Sequence, residues 1–128
     1  MARVVHFEIQ ASVPERLMSF YEALFGWRFQ RLGEEDYWVI HTGPESETGI
    51  DGGLLPRRGG VPEEGQPVNG FVCTVDVPSV DDCLARAEAL SASVAVPRMP
   101  VPGVGWLAYL KDPDGNIFGV MQRDPGAG

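Results

Sequence analysis

The 128-residue sequence predicts an α+β fold: two diverged βαβββ modules pairing into a cup-shaped, partly closed mixed β-sheet with the helices outside. Three observations predict it. In each half an alternating strand pattern leads into an amphipathic helix and then three short strands. A stretch rich in charge and turn formers separates the halves. Each module also leaves one sheet face without a helix, so two modules side by side enclose a cup between their free faces. The chain reads as a single domain over 1–128, with module 1 at about 3–56, a linker at 57–68 and module 2 at about 69–123.

Residues 4–10 alternate, placing Phe7 and Ile9 on one side of a strand and His6, Glu8 and Gln10 on the other. Pro14 suits a first helical position, and Leu17, Phe20, Tyr21 and Leu24 follow at helical spacing until Gly26 stops the run. Residues 27–31, 37–41 and 49–55 read as three strands, with a turn at 33–36. The second half opens on a strand at 70–76. Ser79 is a plausible N-cap for a helix whose Val80, Leu84, Ala87 and Leu90 share a face. Strands follow at 94–96, 106–110 and 117–122, the last two joined by a turn at 111–116. A shift of 64 residues sets Phe7 on Phe71, Val13-Pro14 on Val77-Pro78 and Phe20 on Leu84.

A hydrophobic content of 44% supports an ordinary packed core. Ten basic against 18 acidic residues, a net charge of -8, oppose binding to nucleic acid and favour a cationic small ligand. No apolar stretch approaches the roughly 20 residues of a membrane span, and no signal peptide is evident, so a cytoplasmic protein is expected. Cys73 and Cys83 belong to no CxxC or Cys/His cluster and read as buried thiols in a reducing compartment.

The paired modules, with His6-Phe7-Glu8-Ile9, Phe20-Tyr21-Glu22-Ala23-Leu24-Phe25-Gly26-Trp27 and Lys111-Asp112-Pro113-Asp114-Gly115-Asn116, resemble the vicinal oxygen chelate superfamily. That is the group of glyoxalase I, bleomycin resistance proteins and extradiol dioxygenases. The resemblance covers about 4–122. It implies a divalent ion held by His, Gln or Glu from the first and last strands of both modules, acting as a Lewis acid inside the cup. His6 matches the first ligand position. The others fall on Gly52, with Asp51 or Gly53 one residue either way, on Gly70 or Phe71, and on Gly119. Glycine has no side chain to donate, so the expectation is no metal and no cofactor. A divalent metal on His6 with Glu8 or Asp51 is the alternative.

The glycines at Gly52, Gly70 and Gly119 would free space in the cup, with His6, Glu8 and Gln10 as its polar wall. Trp38 and Trp106 could stack on a planar ligand or serve as core or dimer-interface residues, their strand parity being open. Met121 shares a face with Gly119 and offers an adaptable apolar wall. The expected function is a small-molecule binding protein of the glyoxalase/bleomycin resistance type, its ligand aromatic or cationic and held without a metal. The alternative is a metal-dependent lyase, isomerase or dioxygenase with His6 and Glu8 as catalytic residues, and a third reading is an interaction module with a vestigial pocket. The expected assembly is a homodimer, with neither nucleic acid nor membrane as partner.

Overall fold

The computed structural model describes residues 2–66 and 70–128; residues 67–69, at the end of the predicted linker and the start of module 2, lie outside the described residues. Among the described residues eight strands and two helices make the fold α+β, in the order β1 Val4–Ala11, α1 Pro14–Phe25, β2 Arg28–Arg31, β3 Trp38–His41, β4 Gly52–Pro56, β5 Val72–Asp76, α2 Val80–Ala89, β6 Ser93–Val101, β7 Gly105–Lys111 and β8 Ile117–Arg123. The order βαβββ therefore occurs twice. The chain divides into two compact units, His6–Phe71 and Val72–Gly128 with Met1–Val5.

In the His6–Phe71 unit β2 pairs antiparallel with β3, β3 antiparallel with β4, and β4 parallel with β1. The parallel pair forms because α1 returns the chain along the face of the sheet. Phe7, Ile9, Ala11, Ile40 and Leu54 form the core, and Leu17, Met18, Tyr21, Trp27, Phe29 and Trp38 pack against it. Fully burying a side chain such as Ile40 or Leu54 is worth about 1.5–3 kcal/mol. Helix α1 begins at Pro14 and ends at Gly26, whose φ of 73° is left-handed and whose N–H donates to the Glu22 carbonyl at 2.9 Å. Its packed stripe differs from the expected one: Leu17, Met18 and Tyr21 face the core, whereas Phe20 and Leu24 are exposed. The stripe 14, 17, 18, 21 satisfies helical spacing as well as 17, 20, 21, 24 does, and Met18 takes the inner place.

In the Val72–Gly128 unit β5 pairs parallel with β8, β8 antiparallel with β7, and β7 antiparallel with β6. Val80, Ala108, Leu110 and Val120 form its core, with Val75, Cys83, Leu84, Ala87 and Trp106 among the residues packed on it. Ser79 caps α2 as expected, its hydroxyl accepting from the Asp82 N–H at 3.1 Å. Strand β6 runs to Val101, well beyond the expected 94–96. Its register shifts twice, between Val94 and Val96 and between Val96 and Met99. An outer strand tolerates Pro97 and Pro100 because one row of its N–H groups has no ladder partner to lose. Cys73 and Cys83 are free but only half-buried.

Candidate functional site

Alternation along β1 sends Phe7, Ile9 and Ala11 into the core and leaves His6, Glu8 and Gln10 on the opposite, polar face. Glu8 is 8% exposed, a buried carboxylate that needs donors. Tyr37, just before β3, supplies one: its hydroxyl donates to Glu8 Oε2 at 3.0 Å. His6 Nε2 lies 2.8 Å from the same hydroxyl and 3.8 Å from Glu8 Oε2. A hydroxyl carries one proton, so with that proton given to Glu8 the Tyr37 oxygen accepts from His6 Nε2–H. The three side chains form one directed chain, imidazole to phenol to carboxylate.

Gly53 makes room for it. Gly53 is the parallel-register partner of Glu8, and a Cβ there would overlap the Tyr37 hydroxyl and ring. The one-residue ambiguity of the sequence thus falls on Gly53 rather than Gly52. A Cβ at Gly52 would meet the Phe7 carbonyl at 2.6 Å and the Phe7 ring at 2.7 Å, on the core side. Asp51 turns elsewhere: it accepts from Thr42 N–H at 2.9 Å and lies 3.5 Å from His41 Nδ1, tying the loop before β4 to the end of β3.

The Val72–Gly128 unit repeats the arrangement with different chemistry. Gly119 is the parallel-register partner of Thr74 and the antiparallel partner of Tyr109. A Cβ at Gly119 would lie 2.8 Å from Thr74 Oγ1 and 3.2 Å from the Tyr109 ring. Glu8, Val13 and Gly53 therefore correspond to Thr74, Ser79 and Gly119, each 66 residues on (74 − 8, 79 − 13, 119 − 53). The 64-residue shift is corrected by two. His6 then corresponds to Val72, not to Gly70 or Phe71, and Gly70 lies exposed ahead of β5. Tyr37, Thr74 and Tyr109 were not singled out from the sequence, and Gly53 stood there only as an alternative to Gly52. The signal that would have chosen Gly53 over Gly52 is the match of Glu22-Ala23-Leu24 with Glu88-Ala89-Leu90 at the same interval.

Both tryptophans belong to helix-side clusters. Trp38 packs on the core of its unit under the Arg31 guanidinium, 5.5 Å from the ring centroid. Trp106 packs on the other core, donates from Nε1 to Asp124 Oδ2 at 3.0 Å, and carries the Arg98 guanidinium at 4.4 Å. Met121 does share the Gly119 face of β8. Gln10 lies farthest along β1, its Oε1 accepting from the Arg58 N–H at 3.4 Å.

A divalent ion of the kind the superfamily implies needs oxygen and nitrogen donors at these positions. Two residues can donate, His6 and Glu8, and the Tyr37 hydroxyl already links them; Gly53, Gly119 and Val72 have no donor atom in their side chains. Among the described residues no three His, Cys, Asp or Glu side chains come together as a metal-binding group. The donor set does not fit the ion.

Residues 3–120 match the family described as the glyoxalase/bleomycin resistance protein/dioxygenase superfamily. Proteins of Mycobacterium bovis and Mycobacterium tuberculosis that carry the provisional name glyoxylase CFP32 are 30% identical over 121 residues, 92% of this chain. The chain spans 43% of the length of those relatives. A superfamily member from Vibrio splendidus aligns over 97% of this chain and all of its own, with TM-score 0.63 and 18% identity. A methylmalonyl-CoA epimerase variant of Streptomyces coelicolor, in complex with 2-nitronate-propionyl-CoA, aligns over 98% of this chain and 97% of its own, with TM-score 0.62 and 17% identity. The Mn(II)-bound glyoxalase of Novosphingobium aromaticivorans aligns over all of this chain and 42% of its own, with TM-score 0.59 and 20% identity. Among the described residues no helix is long and apolar enough to cross a membrane.

Proposed function

The chain belongs to the glyoxalase/bleomycin resistance protein/dioxygenase superfamily, and from that premise we propose that it binds a small molecule, without a metal ion, on the polar face that carries His6, Tyr37 and Glu8. One observation carries this reading: the Tyr37 hydroxyl fills the place beside Gly53 and engages His6 and Glu8 with each other. Glu8 supplies a buried negative charge to a cationic group, and the net charge of -8 favours the same sign of ligand. Aromatic stacking on that face falls to Tyr37, since Trp38 and Trp106 lie on the helix-packed side of their strands. Gly119 lies across the register from Thr74 and Tyr109, and Met121 shares its face of β8; a homodimer in a cytoplasm that keeps the two thiols reduced is part of the proposal.

A second reading rests on the continuity of the hydrogen-bonded chain. With links of 2.8 and 3.0 Å, His6, Tyr37 and Glu8 can pass a proton, the requirement of an isomerase or lyase. Thermal melts of chelator-treated protein with a panel of planar amines separate the two. Binding to the folded state raises Tm, and the rise is expected to vanish in Glu8→Gln. No rise with any amine, or a rise that survives Glu8→Gln, overturns the binding reading.

A further inference from the structure

The duplication supplies a comparison inside the chain. At the 66-residue interval Gln10 corresponds to Asp76 and Arg57 to Arg123 (76 − 10, 123 − 57). Each pair borders a cavity where the helix of its unit begins, of about 320 Å³ beside α1 and about 340 Å³ beside α2.

The cavity beside α2 is internally satisfied. Asp76 Oδ2 lies 3.9 Å from Arg123 Nε. The Ser79 hydroxyl and Gln122 Oε1 accept from the first-turn N–H groups of Asp82 and Val80, at 3.1 and 3.0 Å.

Among the described residues none of these partners exists beside α1. Gln10 stands where the carboxylate would be, and among the described residues neither Arg57 nor Arg16 pairs with an acid. Arg57 Nη2 donates to the Gln10 carbonyl at 3.1 Å, while its buried Nε has no acceptor among the described residues. Arg57 as a residue is only half-buried and lines the cavity, so its guanidinium charge, met by no acid among the described residues, is open to an anion from outside. The N-cap of α1 is Val13, which gives no side-chain hydrogen bond, and the first-turn amides after Pro14 stay open at the positive end of the helix. The remaining wall is apolar: Val13, Leu17 and Phe20, with Phe20 53% exposed.

We propose that this cavity is a binding site for a small carboxylate with a compact apolar body. The carboxylate sits between the Arg57 and Arg16 guanidinium groups at the start of α1, and the body rests on Val13, Leu17 and Phe20. Guanidinium groups and the open amides at a helix start are donors of the sign and kind a carboxylate takes, and the apolar wall selects against a bare inorganic anion.

Titration of the whole chain with benzoate, followed by backbone NMR shifts, tests this. Benzoate is expected to shift the amides of Arg16, Phe20 and Arg57, with affinity that falls as salt rises. Arg57→Gln is expected to weaken it at least tenfold. Gln10→Asp, which supplies the carboxylate present in the other unit, is expected to do the same while the chain stays folded. Arg123→Gln should leave the affinity unchanged. Benzamide binding as tightly as benzoate, phosphate binding more tightly, unchanged affinity in Gln10→Asp, or no shifts at all would overturn the proposal.

Discussion

The Tyr37 hydroxyl occupies the place a Cβ at Gly53 would need, directly across the parallel register from Glu8. A side chain absent at one position thus admits one from the segment just before β3, and the polar face of the His6–Phe71 unit takes its chemistry from that exchange. Gly53→Ala is expected to lower stability by about 1–3 kcal/mol, the usual cost of overpacking. In a Tyr37→Ala background the same change should cost far less. Chemical denaturation of the four proteins measures the coupling, and equal costs in both backgrounds would contradict the contact.

Tyr37→Phe removes the hydroxyl and keeps the ring. With a buried carboxylate losing a donor, the expected loss is about 1–3 kcal/mol. Thermal and urea melts read it. The His6 ring should also lose its fixed orientation, visible as a change in its NMR side-chain shifts.

The tryptophans divide stability from binding. Both sit on the helix-packed side of their strands, and Trp106 also donates to Asp124. Trp38→Phe and Trp106→Phe are expected to lower Tm and to leave the affinity for any ligand of the polar face unchanged. A tenfold loss of affinity in either variant would place that tryptophan in the site after all.

Much of the fold was legible because it is written in short-range patterns. Alternation in β1 separated Phe7 and Ile9 from His6 and Glu8 correctly, and Ser79 and Gly26 marked helix ends that the structure has. The site was harder for a physical reason. Strand pairing decides which glycine stands opposite Glu8, and a slip of one residue moves every side chain to the other face, so Gly52 and Gly53 were not separable from spacing alone. Tyr37 was hidden because its role depends on an empty place at Gly53, a relation between two strands. The extent of β6 was hidden by Pro97 and Pro100, which argue against an inner strand but not against an outer one.

The turn between β7 and β8 gives a pH dependence with a definite sign. The Asp112 carboxylate is held below its ordinary 3.8, first by the Asn116 side chain at 2.9 Å and then by the Asn116 backbone N–H, with those of Asp114 and Gly115 adding to the effect and desolvation opposing it. A carboxylate with a depressed folded pKa adds stability above its unfolded pKa and loses it as pH falls through the folded value. The stability gap between the wild type and Asp112→Asn is therefore expected to be widest near neutrality and to shrink below pH 3.8. Urea denaturation at pH 7 and in acid checks it; a gap independent of pH would contradict it.

Under the proposed function the polar face works through the His6–Tyr37–Glu8 chain and not through an ion held by His6. Metal content by mass spectrometry, after equilibration with manganese(II) and removal of the unbound ion, tests it most directly. The account predicts far less than one equivalent retained, and the same amount in His6→Ala. One equivalent retained by the wild type and lost in His6→Ala would contradict it.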